Sequence, residues 1–128
     1  MVRKIVLAAA LAASLAGCKP SEPLVVTNIQ TGKALNSDNS VATHTTRFGP
    51  RDTMFVSVLT GDRGSGTIEV RWSLGGRVLH AVKKDVSYLK PAATEFRFQT
   101  ADAFPAGSYR VEVLVDGQPA GTRSLTVE

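Results

Sequence analysis

Few side chains in this sequence are of types that do chemistry near neutral pH: one cysteine, Cys18, and two histidines, His44 and His80. A zinc ion takes three or four ligands from cysteine, histidine and carboxylates, and neither histidine has a partner at ligand spacing. His80 lies in Val78-Leu79-His80-Ala81-Val82 and shares a face with Val78 and Val82, so it reads as a partly buried strand histidine. His44 sits in the polar stretch Thr43-His44-Thr45-Thr46. No H-E-x-x-H, C-x-x-C or G-x-S-x-G pattern occurs, and nothing in the sequence gathers a serine, a histidine and an aspartate. Asp38 and Asn39, within Asn36-Ser37-Asp38-Asn39-Ser40, lack the glycine and distal glutamate of a calcium loop and read as a turn. The expectation is a protein that is not an enzyme and uses no metal and no small-molecule cofactor.

The most glycine-rich stretch is Gly61-Asp62-Arg63-Gly64-Ser65-Gly66. A phosphate-cradling loop needs a Lys-Ser/Thr pair after its last glycine and a helix behind it. Here that pair is missing and a strand-like run follows. The stretch reads as a flexible connection between strands. If it recognises anything, Asp62, Arg63 and Ser65 are the candidate binding residues, since loops on a rigid scaffold carry recognition and an arginine fork suits a carboxylate or phosphate.

The N-terminus is more specific. Met1-Val2-Arg3-Lys4 is a short basic segment, and residues 5–16 are apolar except for Ser14. That layout is a secretory signal, too short for a stable membrane span. It ends in Leu15-Ala16-Gly17-Cys18. This tetrapeptide resembles the lipobox of bacterial lipoproteins. The resemblance covers the first 18 residues and implies cleavage before Cys18, with a covalent lipid on its thiol. A lone cysteine in an exported chain otherwise needs explaining. By the same resemblance, Lys19 rather than aspartate after the cysteine implies sorting to the outer membrane, the domain facing the periplasm. The expected organisation is a signal peptide over residues 1–17, a lipidated tether over 18–23 and one domain over 24–128.

Without residues 1–17 the chain carries 13 lysines and arginines against 11 aspartates and glutamates, spread along its length. A nucleic-acid binder clusters its cations, so no nucleic-acid partner is expected. Hydrophobic residues make up 43% of the whole chain and charged residues 20%, a globular balance. With no second cysteine, the core alone must hold the domain together.

Beyond the tether, short runs of Val, Ile, Thr and aromatic residues alternate with Gly, Pro, Asn and Asp, which is an all-β signature. The runs fall at residues 24–31, 53–60, 67–74, 77–84, 94–100, 107–115 and 120–127. In 67–74, Ile68, Val70, Trp72 and Leu74 share one face, and Glu69, Arg71 and Ser73 the other. Gly75-Gly76 and Asp116-Gly117 are two-residue hairpin turns. Residues 36–40 form a polar loop. Residues 85–90, stopped by Pro91, compete as a short helix, a turn or a crossing between sheets. Residues 24–29 form either an open edge able to accept a partner's strand or a strand paired within the domain, with pairing favoured.

Trp72 in the third run, and Ala106-Gly107-Ser108-Tyr109-Arg110-Val111, carry a second resemblance, to bacterial immunoglobulin-like β-sandwiches. There, a tyrosine two residues before the second core cysteine closes a corner between strands. Tyr109 stands two before Val111, and Met54 or Val56 stands where the first cysteine would be. The resemblance spans residues 53–127 and implies a disulfide-free, seven-stranded antiparallel sandwich with Trp72, Tyr109 and Val111 in its core. The function expected is that of a non-enzymatic, outer-membrane-anchored lipoprotein. It is attached to the membrane by its lipid, and its immunoglobulin-like domain binds a protein partner in the envelope. The alternatives are a structural subunit of an envelope or secretion apparatus, or a small periplasmic enzyme or inhibitor.

Overall fold

The computed structural model describes residues 22–128. The signal segment, the lipobox and Cys18 lie outside them. Eight strands follow in order: β1 (Val25–Gly32), β2 (Arg47–Phe48), β3 (Met54–Gly61), β4 (Gly64–Leu74), β5 (Arg77–Tyr88), β6 (Ala92–Phe98), β7 (Gly107–Val115) and β8 (Gln118–Val127). They form a three-stranded sheet, β1-β3-β6, and a five-stranded sheet, β2-β8-β7-β4-β5. All pairings are antiparallel except β2 with β8.

Alternation decides which side chains enter the space between the sheets. In β4, Ile68, Val70 and Trp72 are fully buried, and Leu74 packs against them. Met54, Val56 and Val58 of β3, Phe96 of β6, and Tyr109, Val111 and Val113 of β7 complete the centre. Met54 and Val56, the two positions proposed for the first core cysteine, both point inward with no exposure. The Tyr109 hydroxyl donates to the Pro105 carbonyl at 2.7 Å, closing the corner between β6 and β7. Gly75 and Gly76 both have positive φ (61° and 81°), as do Asp116 and Gly117 (51° and 82°), so both hairpins turn as the sequence predicts. Strand order, the inward tryptophan and the corner tyrosine define an immunoglobulin-like β-sandwich.

The structure departs from the sequence reading in three places. There is an eighth strand, β2, two residues long. Phe48 is buried there, and the strand lies parallel to Thr126–Val127. Residues 85–88 are neither helix nor loop but the continuation of β5, with Val86 and Tyr88 packed on the core and Asp85 and Ser87 exposed. Finally, β3 and β4 run into the glycine-rich stretch from both sides, leaving only Asp62 and Arg63 between strands.

Candidate functional site

The end of the sandwich where β1 begins is built from both sheets. Val25 pairs with Gly61, Ala92 with Thr60, and Gly64 with Tyr88. The turns 62–63, 89–91 and 116–117 therefore share this end. Beyond Ile68, β7 no longer accompanies β4, and the vacated position beside β4 is taken by the segment before β1. Pro23 forms a parallel bridge to Ser65, and the Ser65 N–H donates to the Glu22 carbonyl at 2.9 Å. Gly64 permits this approach. A Cβ there would lie 2.7 Å from the Pro23 carbonyl oxygen, a backbone atom that cannot step aside. Asp116 closes the other part of the gap, exchanging 2.8 and 2.9 Å hydrogen bonds with Thr67.

The three candidate binding residues are thus placed as follows. Asp62 is the exposed turn residue, with φ of 59°. Arg63 Nε lies 3.5 Å from Glu22 Oε1, both side chains about half exposed. Ser65 is a strand residue flanked by Pro23 and Ser87. They come together at one end, but Arg63 and Ser65 engage the chain's own N-terminal lead. The sequence gives no signal for this, because the partners are more than forty residues upstream.

On the side where β5 and β6 face each other, the two sheets are joined by a polar seam. Lys84 Nζ donates to the Glu95 carbonyl at 2.6 Å and to its carboxylate at 3.1 Å. Tyr88 and Thr94 share a hydroxyl hydrogen bond of 2.6 Å. His80 stacks on Phe98 at 4.7 Å between ring centroids and lies 5.5 Å from Trp72, so the partly buried strand histidine read from the sequence is in an aromatic cluster. Val78 does not share its burial, being 53% exposed. A bulge opposite Trp72/Ser73 shifts the register there.

His44 is exposed on the segment that folds back along the end of β1. Among the described residues, no three of His, Cys, Asp and Glu are grouped to hold a metal ion. Residues 36–40 are a turn, as read. The Asp38 carboxylate accepts from the Ser40 hydroxyl and N–H at 2.5 and 3.0 Å, which holds it below its ordinary range. β1 pairs with β3, and on its other side Arg123 donates to the Ile29 carbonyl at 3.0 Å.

Two open depressions mark the sheet faces. One, of about 420 Å³, lies on the small sheet, with Leu59 and Ala93 beside Asp38 and Ser40. The other, of about 640 Å³, is polar and lies on the large sheet near Gly75-Gly76, with Ser73, Arg110, Glu112 and Ser124 in its lining.

No protein-family model matches the chain, and no curated protein matches it. Among solved structures, an immunoglobulin-like protein from Pseudomonas aeruginosa is similar at 13% identity and TM-score 0.57, over 88% of this chain and 100% of that one. A cycloisomaltooligosaccharide glucanotransferase from a Paenibacillus species, complexed with cycloisomaltoheptaose, is similar at 14% identity and TM-score 0.55, over 81% of this chain. The alkylpurine DNA glycosylase AlkC of Pseudomonas fluorescens, bound to DNA containing an abasic site analog, is similar at 11% identity and TM-score 0.55, over 84% of this chain. This chain spans only 14% and 31% of those two enzymes. Likeness at these identities shows the fold, immunoglobulin-like, and nothing of what the fold does.

Proposed function

We propose that this chain is a lipid-anchored lipoprotein of the bacterial outer membrane whose immunoglobulin-like domain binds a protein partner in the envelope and catalyses no reaction. The observation that carries the reading is the junction between the lipobox and the fold. Cys18 is the chain's one cysteine and closes Leu15-Ala16-Gly17-Cys18, and the backbone is already fixed to β4 at Glu22. Four residue steps separate the two, about 13–14 Å when extended at roughly 3.3–3.6 Å each. Such a lead suits a domain held at a membrane surface. The partner then meets the parts directed away from the anchor, where the polar depression near Gly75-Gly76 lies, while Arg63 fastens the lead through Glu22.

Two measurements test this. Metabolic labelling with a fatty acid should mark the wild-type protein and leave Cys18→Ser unlabelled. Label on Cys18→Ser would end the lipoprotein reading. A photo-crosslinking residue at Arg110 should capture one dominant envelope protein in cells, and one at Arg63 should capture it poorly. Capture from Arg63 but not Arg110 would restore the 62–63 turn as the binding site, and no adduct from either would remove the partner reading.

A further inference from the structure

The same junction sets which end of the sandwich the N-terminal lead leaves from. Pro23, Ser65 and Ser87 sit side by side on adjacent strand positions. Two strand spacings of about 4.8 Å put the exit point of the lead roughly 10 Å from the end of β5. Just past that end is the turn Leu89-Lys90-Pro91. Leu89 is 70% exposed, more than any other large hydrophobic residue among those described. Val25, 58% exposed, belongs to the same end through its pairing with Gly61. At the opposite end of β5, Arg77 lies eleven residue steps away, roughly 36 Å at about 3.3 Å per step.

We infer that this end of the sandwich seats on the membrane that holds the protein's own lipid, with Leu89 entering the headgroup boundary and the long axis of β5 standing away from the surface. The inference rests on the lipoprotein reading above. The occupant is a lipid surface rather than a protein because the four residue steps from Glu22 to Cys18 span at most about 14 Å, which keeps Leu89 within reach of the bilayer that holds the lipid. Contact is by apolar insertion and not by charge. Glu22, Asp62 and Asp116 offset Arg63 and Lys90 at this end, so it has no cationic surplus.

The test uses the full chain purified in its lipidated form, with Leu89→Cys carrying an environment-sensitive fluorophore. The Cys18 thiol is occupied by lipid, so the new thiol is labelled uniquely. Arg77→Cys serves as the far-end comparison. Intact mass reads the lipid independently of the fluorescence. In zwitterionic vesicles containing spin-labelled lipid, the Leu89 probe should be quenched at least threefold more than the Arg77 probe. The ratio should hold when salt is raised or anionic lipid is added. Lipid mass present with equal or absent quenching at both positions overturns the seating and leaves the lipoprotein reading intact. Equal strong quenching means the domain lies flat and also overturns it. A mass without lipid overturns the lipoprotein reading, and the seating falls with it.

Discussion

Replacing Trp72 with alanine is the sharpest test of the register. Trp72 is fully buried in β4, with His80 and Phe98 rings at 5.5 and 5.6 Å. Truncating a buried tryptophan costs about 3–5 kcal/mol. One feature moves the expected value down: Trp72 Nε1 is buried without a hydrogen-bond partner among the described residues. An unpaired buried donor carries a penalty of about 1–3 kcal/mol in the native state, and truncation removes that penalty along with the packing. The expected loss is therefore near the lower limit, about 3 kcal/mol. With a urea slope of about 1.5 kcal/mol/M, the midpoint of the 19–128 fragment should fall by about 2 M. Trp72→Phe keeps most of the ring contacts and deletes the orphan N–H, so it should lose about 1 kcal/mol or less. Arg71 is the neighbour on the outer face, its side chain 39% exposed and paired with Glu69 at 3.0 Å and Glu112 at 3.8 Å. Arg71→Ala should cost about 1 kcal/mol or less and so move the midpoint far less than Trp72→Ala. Equal losses for Trp72→Ala and Arg71→Ala would refute the face assignment. Equal losses for Trp72→Ala and Trp72→Phe would show that the N–H has a partner and that the penalty argument fails.

Two further predictions concern pH. Burial raises the Tyr109 phenol above its ordinary 10.0, so its contribution is complete below pH 10 and is lost as pH rises through the folded value. Tyr109→Phe should cost about 1 kcal/mol near neutrality through the missing bond to Pro105, and the gap from wild type in urea melts should narrow above pH 10. Asp52 is held below its ordinary 3.8, first by the Gly49 N–H at 2.6 Å and then by Lys33 at 3.1 Å. Its contribution is present above pH 3.8 and disappears as pH falls through the lower folded value. Asp52→Asn should therefore melt below wild type at pH 7 and converge with it as the pH drops under 3.8. A gap independent of pH would mean that the carboxylate charge is not what matters.

What was legible in the sequence, and what was not, follows from where the informative partner sits. β4 and β7 are readable because their alternation is complete within one strand: Ile68, Val70 and Trp72, then Tyr109, Val111 and Val113, all face the core. The two hairpins are readable because Gly-Gly and Asp-Gly supply positive φ locally. The last four residues of β5, 85–88, are not readable as strand, because Lys84 occupies an inward position and interrupts the apolar pattern. It is tolerated there because β5 is an edge strand and Glu95 of β6 supplies both a carbonyl and a carboxylate across the seam. β2 is too short to carry a period at all, and it exists because β8 offers it an edge.

The same distinction governs the candidate functional residues. Arg63 looks like a free cation in a glycine-rich loop until Glu22, forty-one positions earlier, is seen beside it. Gly64 looks like loop flexibility until the Pro23 carbonyl shows that the glycine makes room for the lead. Gly64 therefore records a requirement of the N-terminal junction, close backbone approach, whereas Gly61 and Gly66 face the side chains of Thr27 and Asp116. Leu89 is the converse case. Placed before Lys90-Pro91 it reads as part of a turn, and only the topology shows it at the end of the domain where the chain leaves toward Cys18. A single apolar residue at a turn tip carries no meaning by itself. On the proposed lipoprotein reading it acquires one, because the strand pairings and the short lead keep it near Cys18, which is also why its placement can be tested at that one position.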